Sequence, residues 1–183
     1  MRTWLRRVLH ASLLDADTFE EVEADRSALG QATAVVLLGC VAVAGARAWH
    51  GVQAGLASDR LIFQALLAAI EPLALWIGGS AFAYMVGATF LRGPETRTDF
   101  AEVLRTTGFA FAPGLLRALA VLPPAALGLS IDLVARAWTF AAVVVAIRQA
   151  LDFDTARAIG TFGAAALLLW LMLWGASIAP LPF

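Results

Sequence analysis

This sequence predicts an all-α membrane bundle, and three observations carry the prediction. Of its 183 residues, 61% are hydrophobic and only 15% charged, whereas a soluble domain runs near half apolar and about a quarter charged. Long uncharged runs recur at Ser27–Ala46, Pro72–Leu91 and Ala158–Phe183, and about 20 apolar residues suffice for a helix to cross the hydrocarbon core. The charges gather between these runs, and the arginines favour alternate gaps. We therefore expect a polytopic bundle of five transmembrane helices, N-in and C-out, with an amphipathic interfacial helix at its N-terminus. The spans fall at about 28–48, 72–91, 106–130, 133–151 and 158–179. They form one membrane domain (28–183) behind an interfacial segment (1–27).

The opening residues look like a secretory signal for a few positions. The apolar part is short, His10 interrupts it and acids follow, so the segment reads as retained. Trp4, Leu5, Val8, Leu9 and Leu13 fall near one helical face, with Arg2, Arg6 and Arg7 beside it. That pattern suits a helix in the headgroup layer, its arginines drawn to anionic lipid. Next, Asp17 can cap a second short helix and Glu20 can complete a capping box. The first span ends at Arg47 and Trp49, and a loop over about 50–60 follows.

Residues 61–91 are too long for one straight crossing. Proline fits the first turn of a helix, so the preferred reading starts the second span at Pro72. It leaves Glu71 at the membrane edge; the alternative is one kinked helix that buries Glu71. Gly79, Ala83 and Gly87 form a small-residue ladder, and Ala156, Gly160 and Ala164 form another. Both suit close packing within the chain, with a homo-oligomer as a further option. The loop 92–105 lies along the surface before the third span enters. Asp132 and Arg136 mark a tight turn between spans three and four.

Orientation follows from the arginines. With the N-terminus inside, Arg2, Arg6, Arg7, Arg26, Arg92, Arg97, Arg105, Arg148 and Arg157 are internal, nine against the external Arg47, Arg60 and Arg136. Trp49, Trp76, Trp138 and Trp174 then fall toward the outer interface.

Little in the sequence points to catalysis. All 13 basic residues are arginine, so lysine Schiff-base chemistry is excluded, and no asparagine is present for N-glycosylation. Cys40 stands alone in an apolar span, and His10 and His50 fall on opposite sides of the membrane. Nucleophile-elbow, phosphate-loop and zinc motifs are absent. No enzyme, cofactor or metal is expected, and a net charge of −1 suggests no nucleic-acid partner.

One feature stands out chemically. Arg117 lies about 16 Å into the third span at 1.5 Å per residue, where an arginine costs ~2.5–3.5 kcal/mol on insertion scales. Glu71 is the acid best placed to offset that cost, so Glu71 and Arg117 are the candidate intramembrane polar site. Pro113, Pro123 and Pro124 break the same span and either open its backbone or merely kink it.

The run Gly108-Phe109-Ala110-Phe111-Ala112-Pro113 resembles the opening of the third span in the Yip1 domain family. Trp138, Val145-Ala146-Ile147-Arg148 and Thr155-Ala156-Arg157-Ala158 are similar to the later part of its bacterial versions. The cytosolic Asp-Leu-Tyr-Gly-Pro motif of the eukaryotic members is absent. The resemblance thus implies the fold, the five-span topology and a membrane-organising or partner-binding role. Gly108, Phe109, Pro113, Pro123 and Pro124 are its helix-break and motif residues.

The sequence reading is a non-enzymatic Yip1-type scaffold or adaptor of a bacterial inner membrane. It would bind lipid or a protein partner through a cytoplasmic face that includes Arg97, Asp99, Phe100, Glu102 and Arg105. The alternative is a small channel or transporter built on Glu71 and Arg117.

Overall fold

The computed structural model describes residues 2–92 and 98–178. Its helices are α1 (Arg2–Ser12), α2 (Ala16–Ala24), α3 (Ala28–Gln53), α4 (Ser58–Met85), α5 (Phe100–Ala110), α6 (Ala125–Ala150) and α7 (Thr155–Ile178). A π-helical turn, Val86–Phe90, extends α4, and a 3-10 helix, Ala112–Val121, follows α5. Among the described residues four helices are long and apolar enough to cross a membrane: Ala28–Gln53, Ser58–Phe90, Ala125–Ala150 and Thr155–Met172.

The chain runs back and forth between two poles. α1 and α2 sit at the first pole, where the Trp4 indole donates to the Gln31 carbonyl at 3.3 Å. From there α3 reaches the far pole, where His50 Nε2 donates to the Ala120 carbonyl at 3.0 Å. Gly55, at φ +68°, turns the chain into α4, which returns. Next, α5 starts at the first pole and the 3-10 helix carries the chain to the far one. Finally α6 comes back, its Gln149 amide donating to Glu20 at 2.7 Å, and α7 sets out again.

Two boundaries differ from the sequence expectation, and proline explains both. Pro72 does not begin a span, because α4 runs unbroken from Ser58 to Met85 with Glu71 inside it. An interior proline costs about 3 kcal/mol, but ending the helix in hydrocarbon would strand several backbone groups at several kcal/mol each. The expected helix over 106–130 is likewise absent. α5 stops at Ala110, and the 3-10 helix begins with Pro113, which has no N–H for the α-ladder, in its first turn. The chain then turns at the cis Pro123-Pro124 pair and α6 starts at Ala125. Asp132 and Arg136 therefore lie one helical turn apart inside α6, not in a loop.

Smaller expectations also shift. α1 splits its apolar residues: Trp4, Val8 and Ala11 pack into the bundle, while Leu5 and Leu9, with Leu13 in the turn after the helix, face out. Asp15, not Asp17, is the N-cap residue of α2, and its carboxylate accepts from the Thr18 hydroxyl at 2.8 Å. Trp76 is buried rather than interfacial, its indole donating to the Leu104 carbonyl at 2.8 Å. It packs beside Gly108, where an added Cβ would lie 2.7 Å from the Ala32 methyl and 3.1 Å from Trp76 Nε1. Glycine here lets α5 seat itself against both α3 and α4.

Candidate functional site

Four charged side chains form a ring between the poles. Glu71 comes from α4, Arg117 from the 3-10 helix, and Asp132 and Arg136 from one face of α6. Arg117 Nε donates to Asp132 at 2.7 Å, and its Nη2 lies 3.6 Å from Glu71. Arg136 donates to Glu71 at 2.6 Å and to Asp132 at 2.8 Å. Each arginine thus meets both acids and each acid both arginines, so the signs alternate and the sum is zero. Charge-assisted bonds of this kind are roughly twice as strong as neutral ones. They offset the desolvation that otherwise makes buried charge expensive.

The ring is not sealed in. Side-chain exposure rises from 11% at Arg117 through 27% at Asp132 and 32% at Glu71 to 38% at Arg136. Cavities on two sides account for this. One, of ≈ 580 Å³, is a vestibule toward the far pole, lined by Arg47, His50, Gln64 and Asp132 with the ring. The other, of ≈ 390 Å³, is mainly apolar, with Leu75, Gly79, Phe111, Phe140, Phe162 and Trp170 among its walls. Glu71, Arg117 and Arg136 line both. At 1.5 Å per residue, Arg136 stands about 16 Å along α6 from its far-pole end. These volumes fall in the usual range for small-molecule sites, about 300–1,000 Å³.

A family model for the Yip1 domain matches residues 11–177. The chain belongs to the Yip1 domain family. The family match and four helices long and apolar enough to cross a bilayer together mark it as an integral membrane protein. The Yip1 match takes in all four ring residues and the helices that carry them. No curated protein and no solved structure matches the chain.

The structure brings Glu71 and Arg117 of this Yip1 chain together and adds Asp132 and Arg136, which sequence reading had set in a turn. The available signal was their i, i+4 spacing, the spacing at which charges pair on a helix. The other motif residues lie elsewhere. Phe109 and Pro113 are fully buried in the core and Gly108 is the close-packing point, while Pro123 and Pro124 are exposed at the turn into α6. Of the ladder residues, Gly79 faces the apolar cavity with nothing within 4 Å of a Cβ.

The expected cytoplasmic face does not gather into one surface. Arg97 lies outside the described residues. Asp99 and Glu102 serve each other in a capping box at the start of α5, and the Phe100 ring meets Tyr84 edge-on at 6.0 Å. Arg105 is 4% exposed and so is unavailable to a surface partner. It donates to the Val22 carbonyl at 3.2 Å and to the Glu23 carbonyl, and it lies 3.6 Å from Glu102. Those carbonyls belong to the last turn of α2, where helix geometry leaves acceptors to be met from outside; the Asp25 N–H also donates to Val22.

Acids at this pole titrate differently. Burial pushes the Glu23 carboxyl up to about 7, helped by Asp152, Glu102 and Glu20 and opposed by Arg105. His10 and Thr18, by hydrogen bonding, hold Asp15 below the usual carboxylate range. Burial raises Glu21, but Arg7 and Arg6 outweigh it and leave that acid low.

Proposed function

We propose that this chain is a non-enzymatic membrane-embedded binding protein or small transporter whose ligand site is the Glu71–Arg117–Asp132–Arg136 ring. One observation carries the reading: a ring of four partly exposed charges, set between the two poles, adjoins a vestibule with further polar side chains on one side and a mainly apolar cavity on the other. Ionisable groups inside a membrane are costly and usually mark a pathway or site. A purely structural ion network needs no empty space beside it.

The topology that goes with this reading has five crossings, the third of them broken. α5 supplies about 16 Å and the 3-10 helix about 20 Å, together enough for a core of about 30 Å. Broken helices at midplane sites are a common device of transporters. The arginine bias favours N-in and C-out in a bacterial inner membrane, which turns the vestibule outward.

A second reading, the scaffold or adaptor, draws on the first pole. Arg6 and Arg7 both bind Glu21, and Arg7 also reaches Asp25 at 2.8 Å, so α1 and α2 form a braced platform. Mild-detergent purification from the native membrane, with mass spectrometry of protein and lipid, separates the two. A non-protein ligand retained by the wild type and lost in Arg117→Gln supports the ring site. A stoichiometric protein partner, with no ligand that depends on the ring, supports the scaffold.

A further inference from the structure

The ring's charge pattern and the two unlike cavities together specify an occupant. A simple anion approaching Arg117 and Arg136 also meets Glu71 and Asp132, and a simple cation meets both arginines. Neither gains much from a ring whose charges alternate and sum to zero. A ligand that carries both signs close together can satisfy all four side chains at once. Its phosphate would take the guanidinium donors, which suit phosphate oxygens, and a primary ammonium would give hydrogen bonds to the two carboxylates.

The cavities add a second requirement. Beyond the ring the vestibule adds Arg47, His50 and Gln64 to its walls, and the chamber on the other side is walled chiefly by apolar side chains. At its rim Phe140 is 47% and Trp170 58% exposed, so it opens on the flank that the bilayer covers. An apolar tail attached to the same headgroup would enter from that side and replace bilayer contacts with protein ones. A water-soluble zwitterion would leave this chamber unfilled.

We infer that the two cavities hold a phospholipid of the phosphatidylethanolamine type. Its phosphate lies against Arg117 and Arg136, its ammonium against Glu71 and Asp132, and one acyl chain fills the apolar chamber. The inference rests on the reading of the ring as a ligand site and names the ligand class.

The test uses the full-length protein, delipidated in detergent, with either phosphatidylethanolamine or phosphatidylglycerol added back and bound lipid counted by native mass spectrometry. Phosphatidylethanolamine should be retained at a concentration about tenfold below that needed for phosphatidylglycerol. Gly79→Leu projects a side chain into the chamber and leaves the ring intact. It should lower phosphatidylethanolamine retention about tenfold with no fall in melting temperature. Asp132→Asn, which weakens the ammonium site, should narrow the preference between the two lipids. Equal or better binding of phosphatidylglycerol by the wild type, or retention indifferent to Gly79→Leu, overturns the assignment. If neither lipid depends on the ring but another native ligand is lost in Arg117→Gln, the lipid assignment falls and the ring site stands. If no ligand depends on the ring, both fall.

Discussion

Arg105 and Arg117 both leave water, one on each half of the broken α5–3-10 segment, and different groups receive them. Arg105 is met by backbone carbonyls at the end of α2 and by Glu102, in close-packed surroundings. Arg117 is met by two carboxylates that are shared with a second arginine, and cavities lie on either side. The first arrangement completes a helix terminus. The second is a closed set of four alternating charges with empty volume on both sides. Depth and cost alone do not distinguish the two arginines; the kind of partner and the space around each do.

Breaking the Arg105 clamp should have the largest effect on stability. Arg105→Ala removes the donor from two carbonyls and one acid, a loss of about 3 kcal/mol, read as a lower melting temperature in detergent with no effect on ligand retention. Adding a methyl group compares the same two regions. Gly108→Ala drives a Cβ to 2.7 Å from Ala32 and should cost about 1–3 kcal/mol. Gly79→Ala points into open space and should instead stabilise by about 0.5–1 kcal/mol.

Within the ring the expected signature is coupling. A double-mutant cycle of Glu71→Ala with Arg136→Ala should give an interaction of about 1–2 kcal/mol. An Arg105 cycle with Glu71→Ala should give none beyond error.

The smallest effect is a pH dependence at the first pole. The Glu23 carboxyl is raised in the folded protein from its ordinary 4.5 to about 7. The folded state therefore binds more protons in that window, and stability falls as pH rises from about 4.5 to 7. Glu23 is partly exposed, so screening reduces the effect to about 1 kcal/mol. Glu23→Gln should flatten this slope in chemical denaturation at stepped pH, and a slope that survives the substitution would assign it to another group.

Much of this was legible in the chain. The uncharged runs located the long helices, and the cost of Arg117 in hydrocarbon pointed to Glu71 as a partner. The proline positions were harder to weigh. Placing Pro123-Pro124 inside a span moved the expected start of α6 from Ala125 to 133, which made a helical i, i+4 pair at Asp132 and Arg136 look like a turn. Pro72 misled for a related reason. A local preference against helix before proline is outweighed by the demand of a long apolar segment for backbone partners. Nothing local to Arg105 announces the α2 carbonyls, which arrive from some 80 positions earlier in the chain. Nor does sequence spacing reveal empty volume, which depends on how α4, α6 and α7 stand around Gly79.

The central claim is that the ring stands between the vestibule and the apolar chamber and separates them. Labelling by a membrane-impermeant thiol reagent tests it, with the native thiol removed by Cys40→Ala. In reconstituted vesicles with the far pole outward, Gln64→Cys should react readily. Gly79→Cys should react slowly while the ring is intact and much faster once Arg136→Ala breaks it. Equal reaction of Gly79→Cys with the ring whole or broken would contradict the account.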